Sequence, residues 1–210
     1  MLMLGISTSS KNPSAAVMRG GELLSSFTDK SGRSHSETLM GLIEESLDTA
    51  GVTQSDLDAI AVDVGPGSFT GVRIGVSCAN AMAFALGIKV LPVSSLASMR
   101  RAVYGGGLVC CLLDARNGLG YAAVYRDGER IKEPYPCVIS ELTAEFPQEE
   151  AEYVGDVKNL CAPCSPEASL VLREAQAMLF AEGEACLQNE AVPMYLRPSQ
   201  AERTKMGGRS

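Results

Sequence analysis

Apolar residues fall in short blocks along the first hundred positions, separated by polar or glycine-rich breaks, a pattern of strands alternating with helices. Leu2–Ser7 is almost continuously apolar and reads as a buried strand. Ser14–Met18 and Glu22–Phe27 follow, split by the tight-turn signal Arg19-Gly20-Gly21, so the three form an antiparallel meander. The period then changes. Leu39, Leu42, Ile43 and Leu47 share one helical face within His35–Ala50, Glu37, Glu44, Glu45 and Asp48 lie elsewhere, and Gly51 is a natural stop. Leu57–Val64 is the next strand, residues 65–71 a loop, Val72–Leu86 a second helix and Ile88–Val93 a further strand. Ser94 caps a short helix through Val103.

That order, β-β-β-α-β-α, closes at Gly105-Gly106-Gly107, a linker signal. The pattern then restarts. Strands are expected at Leu108–Leu113, Gly120–Tyr125 and Glu129–Ile139, the last interrupted by Pro134 and Pro136. Weak strand signal returns at Tyr153–Val154, and Pro166 precedes a helix over Glu167–Ala181. Two lobes of one element order, residues 1–104 and a shortened 105–210, point to an internal duplication carried by elements and not by residues.

Hydrophobic residues make up 46% and charged residues 20%, the balance of a folded protein. A net charge of -7 repels phosphate backbones and argues against a stand-alone nucleic-acid binder. The tail runs the other way, since Arg197, Arg203, Lys205 and Arg209 outnumber Glu202. The first residues lack the basic flank of a leader, and the apolar runs fall short of a membrane span. The odd count of 7 cysteines predicts reduced thiols in the cytoplasm. Cys161-Ala162-Pro163-Cys164 has no second pair to complete a zinc site, and its prolines make it a loop, so it reads as two loop thiols.

Local chemistry concentrates in Gly65-Pro66-Gly67-Ser68-Phe69-Thr70-Gly71-Val72-Arg73-Ile74-Gly75, which joins a strand to a helix. Ser68 or Thr70 can cap that helix, and its first amides suit an anion, but the Walker pattern is absent. The plainer reading is a structural turn. Within the helix Gly71, Gly75, Ala79 and Ala83 recur every fourth residue, a stripe that lets another helix approach closely. That helix is either the chain's own 35–50 segment or a second protein, with Val72, Val76, Met82 and Leu86 widening the apolar surface. His35, at the helix start, reads as a cap or interface residue, and there is no His-x-x-x-His pair or Gly-x-Ser-x-Gly elbow. Asp114-Ala115-Arg116 ends a buried strand, where the two charges touch a ligand or pair with each other.

Leu4-Gly5-Ile6-Ser7-Thr8-Ser9, His35-Ser36-Glu37, the Gly65–Gly75 segment, Asp114-Ala115-Arg116 and Pro193-Met194-Tyr195-Leu196-Arg197 together resemble the bacterial TsaB (YeaZ) proteins over nearly the whole chain. The resemblance implies an α/β fold of the actin-like, Hsp70 and sugar-kinase type (ribonuclease-H-like), with two related lobes. It implies a non-catalytic subunit in threonylcarbamoyl-adenosine modification of tRNA, partnered by a TsaD-like transferase and a TsaE-like ATPase. ATP is then used by the partners, tRNA is met only in the complex, and the chain alone forms a homodimer. The partner interface is expected at His35, Glu37, Leu39, Ile43, Leu47, Gly71, Arg73, Gly75, Ala79, Met82 and Ala83. Ser7, Thr8, Ser9, Gly65, Gly67, Ser68, Thr70, Asp114 and Arg116 mark a degenerate nucleotide site. Ser7 stands where the family's phosphate loop carries an aspartate, and Asp114–Gly118 replaces the second, glycine-rich loop. The rival reading, a free-standing actin-like ATPase or small-molecule kinase, needs both. No metal site and no catalytic residue is assigned.

Overall fold

The computed structural model describes residues 1–197; the tail charges Glu202, Arg203, Lys205 and Arg209 lie outside the described residues. The strand β1 (Leu2–Ser7) is buried along its whole length, as its unbroken apolar run requires. It pairs antiparallel with β2 (Ser14–Arg19), which pairs antiparallel with β3 (Glu22–Thr28). On its other side β1 pairs parallel with β4 (Ala59–Asp63), and β4 with β5 (Lys89–Val93), giving the order β3-β2-β1-β4-β5. Two helices, α1 (His35–Ala50) and α2 (Phe69–Leu86), cover one face through Leu39, Ile43, Leu47, Val72, Val76 and Ala79. The second of these starts at Phe69, three residues before the expected Val72, because the Ser68 hydroxyl accepts the Gly71 N–H at 3.1 Å and caps it there.

The second half repeats the arrangement. A central β6 (Leu108–Asp114) pairs antiparallel with β7 (Leu119–Arg126), and β7 with β8 (Glu129–Val138). Parallel pairs join β6 to β9 (Ala151–Gly155) and β9 to β10 (Ala162–Pro163), so the order is β10-β9-β6-β7-β8. Pro134 and Pro136 are tolerated because β8 is an edge strand, where a missing amide breaks no inner ladder. A short α4 (Ile139–Glu145) takes the place of α1, and between β9 and β10, where the first half has α2, there is only a turn. That compression accounts for the weak signal of this region in the sequence.

The last helix of each half crosses to the other. In α3 (Ser95–Arg100), Leu96 and Met99 pack with Val109, Cys111, Ala123 and Tyr125 of the second sheet. In α5 (Ala168–Glu182), Ala168, Val171, Leu172 and Ala175 pack on Met3, Ala16, Ala61 and Leu91 of the first. An Arg101–Glu174 ion pair and a 2.9 Å hydrogen bond from Arg173 to the Tyr104 hydroxyl join the crossing segments. Gly5 makes the crossing possible, since a Cβ there would lie 2.6 Å from Leu172 Cγ and 2.8 Å from the Ala168 carbonyl oxygen.

After α5 the chain returns as a strap over the β5 edge and α2. Gln188 bridges to Val90, Ala191 exchanges two hydrogen bonds with the Asn80 amide, and the Met194 amide donates to the Val64 carbonyl. The exposed ladder edge is thereby covered.

The closeness of α5 to β1 sets an expectation for Gly5→Ala. The added methyl must push α5 away, at a cost of about 1–3 kcal/mol. The unfolding midpoint should fall by roughly 2–12 °C, as read by circular dichroism on the purified chain.

Candidate functional site

The carboxyl ends of β1 and β4 meet at a buried polar node. Asp63 closes β4 and is fully buried. Its Oδ2 accepts the Ser7 hydroxyl at 2.8 Å and the Ser9 hydroxyl, and its Oδ1 accepts the Ser95 hydroxyl at 2.5 Å and the Gly65 amide at 2.9 Å. Burial pushes the Asp63 carboxyl up, and the four donors pull it back only in part. Ser7 Oγ also lies 3.1 Å from the Pro166 carbonyl oxygen, at the entry to α5. Ser7, Thr8 and Ser9 are all buried, so the expected degenerate nucleotide site is filled by the chain's own side chains at this end. Sequence reasoning passed over Asp63; its signal was a lone carboxylate ending an otherwise apolar strand.

The glycines of the loop serve the same node. A Cβ on Gly67 would lie 2.5 Å from the Ser9 carbonyl oxygen, and one on Gly71 or Gly75 would collide with Thr8. The Thr8 hydroxyl donates to the Gly71 carbonyl at 2.7 Å, and the Ser68 amide to the Ser9 carbonyl at 2.7 Å. The expected small-residue stripe therefore faces inward, and Gly71 and Gly75 pack on the loop after β1 and not on α1. Ala79 and Ala83 are buried in the same core, as are Leu39, Ile43 and Leu47. Side chains at these positions are out of reach of a second protein.

Of the other expected interface residues, His35 is half-buried, with Nε2 2.9 Å from the Ser10 carbonyl oxygen. Glu37 is exposed and accepts the Ser34 hydroxyl at 2.8 Å. Arg73 is held in the chain: its guanidinium lies 3.9 Å from the centre of the Phe69 ring and donates to the Tyr195 hydroxyl at 2.7 Å, pinning the strap. Met82 is half-buried beside Cys78.

What α2 presents outward is a second row of small residues, Ser77, Ala81 and Ala85, with Ile74 and Phe84 beside it. Phe84 is 91% exposed, and Met40 of α1 is 44% exposed. Acidic Glu37, Glu44, Glu45 and Asp48 line the exposed side of α1. By length and composition α2 reaches the range of a membrane span, with a mean hydropathy of 1.3 over 18 residues of which 33% are buried. It has one face on the core and an apolar face on solvent, whereas a single stripe was expected.

In the second half the Asp114–Gly118 segment is a hairpin turn. Arg116, Asn117 and Gly118 all have positive φ, the Asp114 carboxylate accepts the Arg116 amide at 2.7 Å, and the Asp114 amide donates to Asp156 at 2.7 Å. Asp114 thus bonds the Arg116 backbone, and no ion pair between their side chains occurs. Thr70, Asp114 and Arg116 are exposed, Thr70 in the first turn of α2 and the other two together at the β6–β7 turn. Cys161 and Cys164 enter clusters on opposite faces of the second sheet, and burial pushes each thiol up to about 11. Among the described residues no three His, Cys, Asp or Glu side chains are grouped to hold a metal.

Residues 24–201 match the family model TsaD, tRNA N6-adenosine threonylcarbamoyltransferase. The chain is 30% identical to the tRNA threonylcarbamoyladenosine biosynthesis protein TsaB of Escherichia coli, over 96% of each. It is 35% identical to the tRNA N6-adenosine threonylcarbamoyltransferase of Geotalea uraniireducens, over 50% of this chain and 35% of that protein. The solved structure of YeaZ from Pseudomonas aeruginosa superposes with a TM-score of 0.75 at 30% identity, covering 93% of this chain and 99% of that one.

Two expectations follow from the node. Gly75→Leu drives a side chain into Thr8, so it should lower stability by about 1–3 kcal/mol or more, measured by denaturant unfolding of the isolated chain. For Asp63, a carboxyl raised on folding means that the native state binds more protons than the unfolded state between the unfolded and folded values. Stability from this group is therefore lost as pH rises through that window. The stability gap between the wild type and Asp63→Asn should shift against the wild type as pH rises above about 4. A gap that moves the other way would show the carboxyl to be lowered by its four donors.

Proposed function

The chain belongs to the TsaB (YeaZ) family of tRNA threonylcarbamoyladenosine biosynthesis proteins, and from that membership we propose that it is a partner subunit whose work is docking. The observation that carries this reading is the open apolar face of α2, set beside a polar centre that is closed. Ser77, Ala81 and Ala85 allow a second helix to come close, and Phe84 and Met40 supply apolar area for a partner to bury. Catalysis then resides in a TsaD-like transferase, with ATP turned over by that partner and by a TsaE-like ATPase.

Charge favours a different protein over a second copy on this face. Glu37, Glu44, Glu45 and Asp48 rim α1, and two such rims repel, whereas a partner with a basic rim gains complementarity. A homodimer of the isolated chain is then the weaker state. Contact with tRNA falls to the partner, because the net charge of -7 opposes the approach of a phosphate backbone. A free-standing kinase is disfavoured by Ser7, buried against Asp63 where a magnesium-positioning carboxylate would be needed.

Reconstitution tests the reading. The chain alone should give neither ATP turnover nor modified tRNA, and adding it to the transferase and ATPase should restore threonylcarbamoyl transfer. Ala81→Glu and Phe84→Glu change exposed positions, so melting should stay within about 0.5 kcal/mol of wild type. Association with the transferase should weaken over a hundredfold, ~3 kcal/mol. Undiminished association of both folded variants would remove α2 from the interface.

A further inference from the structure

We propose that Met40, Cys78 and Met82 form a binding site for a soft monovalent cation, Cu(I) or Ag(I), where α1 and α2 meet at the surface. Cys78 Sγ lies 3.7 Å from Met40 Sδ and 3.9 Å from Met82 Sδ. Three sulfurs around one ion at ~2.3 Å in a trigonal arrangement stand ~4.0 Å apart. The two thioethers are therefore already at ligating separation from the thiol.

The donor set decides the class of ion. One thiolate and two thioethers are soft ligands, which select Cu(I) over harder divalent ions. The fold supplies them from two elements: Cys78 and Met82 are one turn apart on α2, and Met40 reaches across from α1. All three can be reached from solvent, with Met40 44% exposed and the others half-buried. The unbranched Met side chains can make the last few tenths of an ångström of adjustment. Glu37 and Glu44 stand exposed about one turn to either side of Met40 along α1 and favour a cation nearby.

Binding involves no electron transfer. The Cys78 S–H bond breaks, a sulfur–metal bond forms, the proton passes to buffer and the thioethers donate lone pairs. The site overlaps the face proposed for docking but does not depend on that reading, because it is tested on the chain without a partner.

The test is a Cu(I) titration of the full reduced chain under anaerobic conditions, in competition with a chromophoric Cu(I) chelator and repeated with Ag(I). The variants are Cys78→Ser, Met40→Leu and the double Met40→Leu/Met82→Leu. Relative to Cys78→Ser, the wild type should take up one more ion equivalent. The double variant keeps the thiol but should hold that ion at least about tenfold more weakly, ~1.4 kcal/mol. Met40→Leu, at an exposed position where folding is not at stake, should show part of that loss. Equal uptake by Cys78→Ser, or undiminished affinity in a folded variant lacking the thioethers, overturns the site.

Discussion

A single buried carboxylate organises the middle of the molecule. Asp63 receives hydroxyls from Ser7 and Ser9 after β1 and from Ser95 at the start of α3, and an amide from Gly65 before α2. A carboxyl buried without partners is costly, more so when charged, and so each donor must be held in place by its own backbone. The loop after β1 is held by Gly67, Gly71 and Gly75, the only residues small enough to let α2 sit against Thr8 and Ser9. The node explains why this loop is rich in glycine: its Gly65 and Ser68 amides and the hydroxyls of Ser7, Thr8 and Ser9 bond to Asp63 and to neighbouring backbone at close quarters.

From the node the reciprocal exchange of helices follows. Ser95 begins α3, which leaves for the second sheet, and Ser7 touches Pro166 just before α5 arrives from the second half. Ser14 adds a further tie by accepting the Ala168 amide at 2.9 Å. Each sheet is thus covered on one face by a helix from the other half, and neither inner face could be shielded from water without it. The Arg101–Glu174 pair is partly exposed and contributes little by itself. Apolar burial by Leu172, Val171, Leu96 and Met99 holds the halves together.

Much of this was legible in the sequence, for identifiable reasons. Long periodic or unbroken apolar segments such as Leu2–Ser7 and His35–Ala50 announce themselves, and both boundaries hold to the residue. The repeated element order was legible because turn residues punctuate it. The direction of the Gly71–Ala83 stripe was not, since a run of small residues marks close approach without saying to what. Here a tertiary contact with Thr8 decides it. Asp63 was missed because three of its donors lie 32 to 56 residues away in sequence. The Arg73–Phe69–Tyr195 stack was hidden for the same reason, as 122 positions separate the arginine from the tyrosine.

The two halves differ in one respect that bears on assembly. Where α2 fills the connection between β4 and β5, the matching connection between β9 and β10 is a turn. Among the described residues the second half therefore has no counterpart to the outward row of Ser77, Ala81 and Ala85, and its outer face carries the seven-residue α4. On the opposite flank of α2 the strap occupies Asn80 and Arg73. What stays open is the strip between the strap and α1, apolar along α2. A surface bounded on both sides would admit an incoming helix in few orientations. If docking uses this strip, two partners cannot occupy it together.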